Sequence, residues 1–245
     1  MGTETHPLVG ILGGMGPEAT VDLLRRVVAA TPADDDADHV HLIVDHNPKV
    51  PSRIKALIEE TGESPLPTLQ AMARRLEAAG AGLLAMPCNT AHHYLPGIRE
   101  AVRVPCLDMI ALTVERLRTL GVARVGLLAS SAVLKLGLYE RTLAVHGITL
   151  AVPADQDRLM EVIRAVKRGD QGEAVRDTFR AIAGQLGEQD PDCLVIACTE
   201  LSVLADSLAR DTPVLDALDV LVAGIVAFGR GTASNAVIDS PHRLL

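Results

Sequence analysis

Two cysteines end apolar runs in matching contexts, and small polar residues follow each of them. One lies in segment 84–90 (LAMPCNT) and the other in segment 195–200 (VIACTE). A helix that begins after such a run has a partial positive charge and free backbone N–H groups at its N-terminus. A thiol placed there loses its proton more easily. We therefore predict that Cys88 and Cys198 are a catalytic pair that serves one reaction.

The other cysteines have a simpler interpretation. Cys106 and Cys193 lie inside or at the start of apolar runs, as expected of small buried hydrophobic residues. Cys88 is close in sequence to His92 and His93, but no second ligand cluster follows at zinc spacing, so we expect no metal site. His92 lies one helical turn after Cys88 and either orients that thiol or is an ordinary histidine.

Composition excludes several classes of protein. The chain has 245 residues, 48% of them hydrophobic and 2% aromatic, with a net charge of −8. Few stacking groups and a negative charge argue against a nucleic-acid partner. The apolar run at 220–228 is too short to cross a bilayer, and the first residues do not resemble a signal peptide. We expect a soluble, cytoplasmic protein with no membrane partner and no disulfide framework.

Apolar, β-rich runs alternate with segments of helical spacing. The order predicts a doubly wound α/β fold, in which helices cover both faces of a parallel sheet. Strands are expected at 8–12, 39–44, 82–86 and 105–107. Helices are expected at 18–30, 53–59, 66–79, about 91–102 and up to residue 120.

The second half of the chain repeats the first. Residues 9–12 (VGIL) resemble residues 125–128 (VGLL), and residues 105–108 (PCLD) resemble residues 213–216 (PVLD). These offsets of 116 and 108 residues bracket the 110 residues that separate the two cysteine motifs. The repeat predicts two similar lobes that are related by a pseudo-two-fold axis.

The repeat also places the domain boundaries and the site. We expect one lobe over 1–116 and a second over 117–217, with segment 218–245 packing back on the first. Ligands of open α/β sheets bind at the carboxyl ends of the strands. Cys88 and Cys198 are therefore expected on opposite sides of one cleft between the lobes.

A glycine-rich turn at 13–19 (GGMGPEA) follows the first strand. It formally matches the dinucleotide fingerprint, but Pro17 removes a backbone N–H from the turn that would hold pyrophosphate. Close approach of the backbone to a small substrate is the favoured interpretation. Arg53, in the loop after the second strand, can bind a carboxylate with two hydrogen bonds. Lys167 is either part of the site or a solvated cation at a helix end.

These residues resemble the aspartate/glutamate racemase family, which works without pyridoxal phosphate. Segment 10–20 (GILGGMGPEAT) is similar to the opening motif of that family. The resemblance extends over essentially the whole chain and is strongest to the aspartate racemase branch. The other matching positions are Asn47, Pro51, Arg53, the run Cys88-Asn89-Thr90-Ala91-His92, Lys167, and the run Cys198-Thr199-Glu200.

The resemblance implies a mechanism and roles for these residues. One cysteine would remove the α-proton and the other would deliver a proton to the opposite face. The α-carboxylate and ammonium would be held by Asn47, Asn89, Thr90 and Thr199. A side-chain carboxylate would be held by Arg53, with Lys167 close by. The expected substrate-binding set is completed by Met15, Ser130 and Glu200. The resemblance also implies a homodimer and no cofactor.

The sequence departs from the family pattern at three places. Residues 51–54 are PSRI where the family usually has PDRT, segment 129–133 (ASSAV) lacks an expected Gly-Thr, and Ala197 replaces a frequent glycine. None of these positions is a proposed acid or base, so they bear on the shape of the pocket.

We expect a cofactor-independent racemase that acts on aspartate or another acidic amino acid. Inverting a stereocentre needs an acid on one face and a base on the other. Related enzymes of other chemistry remain alternatives: a hydantoin racemase, a maleate isomerase or a decarboxylase. From another class, a non-catalytic protein that binds a nucleotide or small molecule also remains open.

Overall fold

The computed structural model describes residues 7–208 and 213–233. Its first half begins with a buried strand that is followed by an amphipathic helix. The elements of this half are β1 (Val9–Gly13), α1 (Pro17–Ala30), β2 (Leu42–His46), α2 (Arg53–Leu57), α3 (Leu66–Ala78), β3 (Leu83–Ala85), α4 (Leu95–Arg99) and α5 (Met109–Thr119). Short 3-10 helices lie at Asp36–Asp38 and Thr90–Tyr94.

The second half repeats this alternation. Its elements are β4 (Arg124–Ala129), α6 (Ser131–Lys135), α7 (Glu140–Val145), β5 (Thr149–Ala151), α8 (Gln156–Lys167), α9 (Glu173–Gly187), β6 (Cys193–Ala197), α10 (Thr199–Ser202), β7 (Val214–Asp216) and α11 (Ala217–Gly229). A 3-10 helix lies at Ala205–Ser207. Residues 1–6, 209–212 and 234–245 lie outside the described part.

Two parallel sheets form the centre of the molecule. The first has the order β2-β1-β3 and the second has the order β5-β4-β6-β7. The first sheet has a single parallel bridge between Leu84 and Cys106 where the second has β7. β1 and β6 are buried along their whole length, as is typical of parallel strands with both faces covered. The predicted two-lobed α/β fold is confirmed.

The same capping residue starts a helix in each half. Asp108 accepts hydrogen bonds from the backbone N–H groups of Ile110 and Ala111, and Asp216 accepts one from that of Leu218. An aspartate at the N-cap satisfies donors that have no partner within the helix. The repeated PCLD and PVLD segments therefore mark the starts of α5 and α11.

α5 and α11 each cover the sheet of the opposite half. Val114 and Leu117 of α5 belong to the core over β4 and β6. Leu221 and Ile225 of α11 belong to the core over β1 and β3. The predicted boundary at 116/117 falls within α5. The division into 1–116 and 117–217, with 218–245 packing back, stays a prediction, and residues 234–245 of it lie outside the described part.

Two predicted elements differ in detail. The helix expected at about 91–102 is divided into the 3-10 helix Thr90–Tyr94 and α4. Pro96 has no N–H to continue the first segment, and its ring favours a new helical start. The strand expected at 105–107 is reduced to the single bridge at Cys106.

None of the helices within 7–208 and 213–233 combines the length and the hydropathy that a membrane span requires.

Candidate active site

A cavity of about 500 Å³, which includes its opening to solvent, lies where β3 and β6 end. Both Cys88 and Cys198 line it. The two cysteines come from different halves of the chain, and each follows the carboxyl end of a strand. The complete lining is Met15, Ser52, Arg53, Ile54, Cys88, Asn89, Thr90, Ser130, Met160, Ile163, Lys167, Ala197, Cys198, Thr199 and Glu200.

Cys88 is held through its backbone. Its N–H donates to the carbonyl oxygen of Met86 at 2.9 Å, and its carbonyl oxygen lies 2.9 Å from Nδ1 of His92. The backbone N–H of Met109 donates to Nε2 of His92 at 3.1 Å, so Nδ1 carries the proton and donates to Cys88. Burial lowers the pKa of His92 below 6.5 and favours this neutral form.

These contacts decide between the two interpretations of His92. Both ring nitrogens of His92 hydrogen-bond to backbone groups, so the side chain fixes the turn after β3 and neither nitrogen is left to polarise the thiol. The same contacts leave no ring nitrogen for a metal ion. Within the described ranges, no group of three or more histidine, cysteine, aspartate or glutamate side chains is arranged to hold a metal.

Asn89 lines the cavity and has an unpartnered side-chain donor. Its Oδ1 accepts a hydrogen bond from the hydroxyl of Tyr139 at 2.7 Å. Its Nδ2 is buried and has no hydrogen-bond partner among the described residues. A buried donor without a partner is unfavourable unless a ligand accepts from it. Beside it, the hydroxyls of Thr90 and Ser130 lie 3.3 Å apart and link the two halves of the chain.

Cys198 is held through its side chain. It is the N-cap of α10, and its thiol donates to Oε2 of Glu200 at 3.1 Å. Oε1 of Glu200 lies 3.4 Å from Nζ of Lys167. Three groups from α8, the end of β6 and α10 therefore form one continuous chain. Glu200 is buried, whereas the Lys167 side chain is 42% exposed.

The expectation that the helix terminus lowers this thiol's pKa is wrong for Cys198. Burial, followed by the charge of Glu200, raises the pKa of Cys198 well above 9.0. α10 has only four residues, so its terminus offers little compensation. Burial lowers the pKa of Lys167, but Glu200, Cys198 and Cys88 together outweigh it, so that pKa lies above 10.5. Lys167 therefore stays charged.

The remaining predicted residues lie at the cavity with one exception. Met15, Arg53 and Thr199 line it, and Arg53 Nη1 donates to the carbonyl of Pro51 at 3.0 Å. Asn47 does not line it, because Oδ1 of Asn47 accepts from the backbone of Lys49 at 3.0 Å in a turn outside the cavity. Its expected contact with substrate stays a prediction.

The glycine-rich turn is closely packed at Gly14. Gly14 has a φ of +91°, and a Cβ there would lie 2.4 Å from the backbone carbon of Asn47. Its N–H donates to Oγ1 of Thr20 at 2.9 Å. The loop after β2 therefore fills the space beside Gly14, and the amide of Gly14 is already paired. Gly16 faces Glu200, since a Cβ there would lie 3.4 Å from Oε1.

Cys106 and Cys193 lie away from the cavity. Both are buried, and burial raises the pKa of each thiol to about 11. Two other lining residues, Met160 and Ile163, escaped the sequence reasoning. They precede Lys167 by seven and four residues, a spacing that places all three on one face of α8. That helical spacing is the signal that could have found them.

A family model described as Asp/Glu/Hydantoin racemase matches residues 12–225. The chain belongs to this family. The broad specificity amino-acid racemase RacX of Bacillus subtilis (strain 168) is 24% identical over 239 residues, which are 90% of this chain and 97% of RacX. The resemblance inferred from the motifs is confirmed, and the chain is an isomerase of the racemase type.

Solved structures agree with this membership. The Picrophilus torridus aspartate racemase superposes with a TM-score of 0.85 at 33% identity, over 91% of this chain and 94% of that chain. The glutamate racemase of Francisella tularensis subsp. tularensis SCHU S4, in complex with D-glutamate, shares the fold with a TM-score of 0.65 at 15% identity. That likeness covers 94% of this racemase and 84% of the Francisella chain.

Proposed function

We propose that this racemase inverts Cα of an acidic amino acid, aspartate first, with Cys88 and Cys198 as the two bases and no cofactor. The observation that carries the proposal is that two buried thiols, one from each half of the chain, line a single cavity. A two-base inversion needs an acid and a base on opposite faces of one carbon. The matching positions of the two cysteines at the ends of β3 and β6 support this assignment.

In this mechanism the thiolate of one cysteine takes the α-proton. The Cα–H bond breaks, an S–H bond forms, and the electron pair spreads from Cα into the adjacent carboxylate. The thiol of the other cysteine then gives its proton to the opposite face of Cα. The product is the other enantiomer, and the thiol and thiolate have exchanged places. Loss of one thiol proton to solvent and gain of another restores the starting form.

The charges at the cavity suit an acidic amino acid. Arg53 and Lys167 bring two positive charges and Glu200 brings one negative charge. An acidic amino acid has two carboxylates and one ammonium group, which are the opposite numbers of charged groups. We assign the side-chain carboxylate to Arg53 and the α-carboxylate to Nδ2 of Asn89. Donors fixed before reaction stabilise the charge that develops on the α-carboxylate.

A broader substrate range is the second candidate. Ile54, Met160 and Ile163 give the cavity an apolar wall. Such a wall accepts the carbon atoms of a longer or neutral side chain. The relative RacX is named a broad specificity amino-acid racemase. We rank this below the acidic substrate because it leaves Arg53 without a partner from the substrate.

The decisive experiment is racemisation in heavy water with a panel of amino acids and a hydantoin. We expect L-aspartate to give D-aspartate with solvent deuterium at Cα, without added cofactor. Turnover of hydantoins alone, or of maleate, would replace the proposal by the corresponding family chemistry. No turnover of any compound, together with tight nucleotide binding, would favour a binding protein. Light scattering on the same preparation tests the expected homodimer.

A further inference from the structure

The two thiols of the cavity have different polar surroundings. The Cys198 thiol donates to Glu200 at 3.1 Å, and Glu200 in turn lies 3.4 Å from Lys167. Within 7–208 and 213–233, no side-chain hydrogen bond involves the thiol of Cys88, whose contacts run through its backbone. A carboxylate beside only one of two otherwise equivalent acids makes them unequal.

We propose that Glu200, held by Lys167, biases the thiol pair so that the proton resides on Cys198 and the negative charge on Cys88 before substrate binds. The inference rests on the proposed two-base function and deepens it. Glu200 is then a positioning residue that acts through Cys198.

The physical reason is the charge of the carboxylate. A two-base racemase has two forms with one thiol proton, and they differ in which sulfur carries it. When Cys198 carries it, the S–H donates to Glu200. When Cys88 carries it, a thiolate at Cys198 lies beside the carboxylate with no S–H to share, and like charges at this distance repel. The raised pKa of Cys198 also favours the form in which Cys198 carries the proton.

Every charged group near Cys198 enters this balance. At the cavity these are Glu200 on α10, Lys167 on α8, Arg53 on α2 and the second thiol at Cys88. Lys167 opposes Glu200, since its charge favours a thiolate at Cys198. At the other end of α10, Arg26 of α1 and Asp216 before α11 pair with each other at 2.8 Å.

The bias has a kinetic consequence that differs between the enantiomers. One enantiomer presents its α-hydrogen to Cys88 and binds the prevalent form. The other enantiomer presents its α-hydrogen to Cys198 and binds only the minor form, in which Cys198 is the thiolate. Its apparent affinity is therefore reduced in proportion to the fraction of the enzyme in that form. Since the enantiomers have equal free energy, kcat/KM is the same in both directions. The bias must therefore appear as a larger kcat and a proportionally larger KM for one enantiomer.

Glu200→Gln tests this with little change of shape. It removes the negative charge and leaves Lys167 unopposed, so both changes favour a thiolate at Cys198. We expect the ratio of the two kcat values to move toward one by about tenfold for each unit by which the thiol pKa falls. Glu200→Asp keeps the charge and should restore much of the ratio. Glu161→Gln, an exposed carboxylate on the same helix as Lys167, is the matched control.

A second readout does not depend on turnover. Alkylation by iodoacetamide, mapped to each cysteine by mass spectrometry across a pH series, follows the thiolate of Cys198 directly. We expect the Cys198 profile to move to lower pH in Glu200→Gln and to higher pH in Lys167→Met. The profiles of Cys106 and Cys193 report whether either variant has loosened the fold.

The outcomes separate this inference from the proposed function. An active wild-type enzyme whose kcat ratio and Cys198 profile are unchanged by Glu200→Gln overturns the bias and leaves the two-base function standing. An inactive wild-type enzyme whose Cys198 profile still shifts removes the function and supports the bias. If Glu161→Gln changes the kcat ratio or the Cys198 alkylation profile as Glu200→Gln does, the inference is also overturned.

Discussion

The turn after β3 and the turn after β6 occupy matching places in the two sheets, and each presents one cysteine to the same cavity. The first turn is fixed by a buried histidine that joins the carbonyl of Cys88 to the N–H of Met109. The second continues into α10, where Glu200 accepts from the thiol of Cys198.

The second turn is also fixed from outside its own half. Arg26 of α1 donates to the carbonyl of Ser202 at 2.7 Å and pairs with Asp216 and Asp219. The hydroxyl of Ser202 donates to Asp216 at 2.7 Å. A cation from the first half thus anchors the helix that carries the thiol of the second half. A repeated fold can therefore supply two equivalent positions while the contacts around them make the positions chemically different.

Replacing the cavity cysteines one at a time tests whether both turns serve one reaction, and we expect this change to have the greatest effect on activity. We expect either Cys88→Ala or Cys198→Ala to lower racemisation by about 10³-fold, within the range that one positioned acid or base contributes. Cys106→Ala, which removes a buried thiol outside the cavity, should leave kcat within about twofold of wild type. Chiral chromatography of aspartate measures all three. A variant of either cavity cysteine with near-normal turnover would refute the pairing.

The second prediction removes the anchor of α10. Arg26→Met leaves Asp216 buried without its cation, whereas Asp22 keeps its pair with the exposed Arg25. Breaking the buried pair with Asp216 costs about 3 kcal/mol of the free energy of unfolding. Arg25→Met is the control, because the Arg25 side chain is 75% exposed and contributes within about 0.5 kcal/mol. Urea unfolding measures both. Equal losses would show that the pair of Arg26 and Asp216 contributes no more to the free energy of unfolding than the pair of Arg25 and Asp22.

Much of this arrangement follows from local sequence pattern. Apolar runs, helical spacing and repeated segments predict the parallel sheets, the two halves and the convergence of Cys88 and Cys198 at the strand ends. These features depend on the periodicity within each segment and on the repetition of segments along the chain, and both can be read from the sequence. The same holds for Lys167 and Thr199, whose positions follow from the family motifs.

The features that the sequence did not predict arise from contacts between distant segments. Nothing in the segment 109–119 shows that α5 covers the sheet of the other half. The position of Asn47 outside the cavity depends on a turn that packs against Gly14. The pKa of Cys198 depends on burial and on Glu200, and burial outweighs the short helix. Such effects are properties of packing, which pattern alone does not reveal.

The third prediction compares the residues that follow the two cysteines. Nδ2 of Asn89 is unpartnered, whereas the hydroxyl of Thr199 already donates to the carbonyl of Pro87 at 3.3 Å. Asn89→Asp keeps the acceptor for Tyr139 and replaces the free donor. We expect KM for aspartate to rise about tenfold or more, the loss of a hydrogen bond to a charged group. Thr199→Val should raise KM less, and equal effects would contradict the assignment of Asn89.

The last and smallest effect is the contribution of His92, in the turn after β3, to the pH dependence of the free energy of unfolding. The folded state holds His92 neutral, with a pKa below 6.5, because its ring is buried and its Nε2 accepts from Met109. The unfolded chain takes up a proton near its ordinary pKa of about 6.5. The unfolded state therefore binds more protons as pH falls below that value, and the free energy of unfolding declines until the lower folded pKa is reached. The slope from this residue is at most about 1.4 kcal/mol per pH unit.

His92→Gln removes that contribution, so the free energy of unfolding should fall less steeply than in wild type as the pH decreases below about 6.5. His93→Gln is the control, because His93 is exposed and its replacement should change the slope less. No comparable histidine supports the turn after β6 in the described part of the chain. A slope unchanged in His92→Gln would mean that the turn carrying Cys88 is not held by a neutral imidazole. The two thiols would then differ through Glu200 alone.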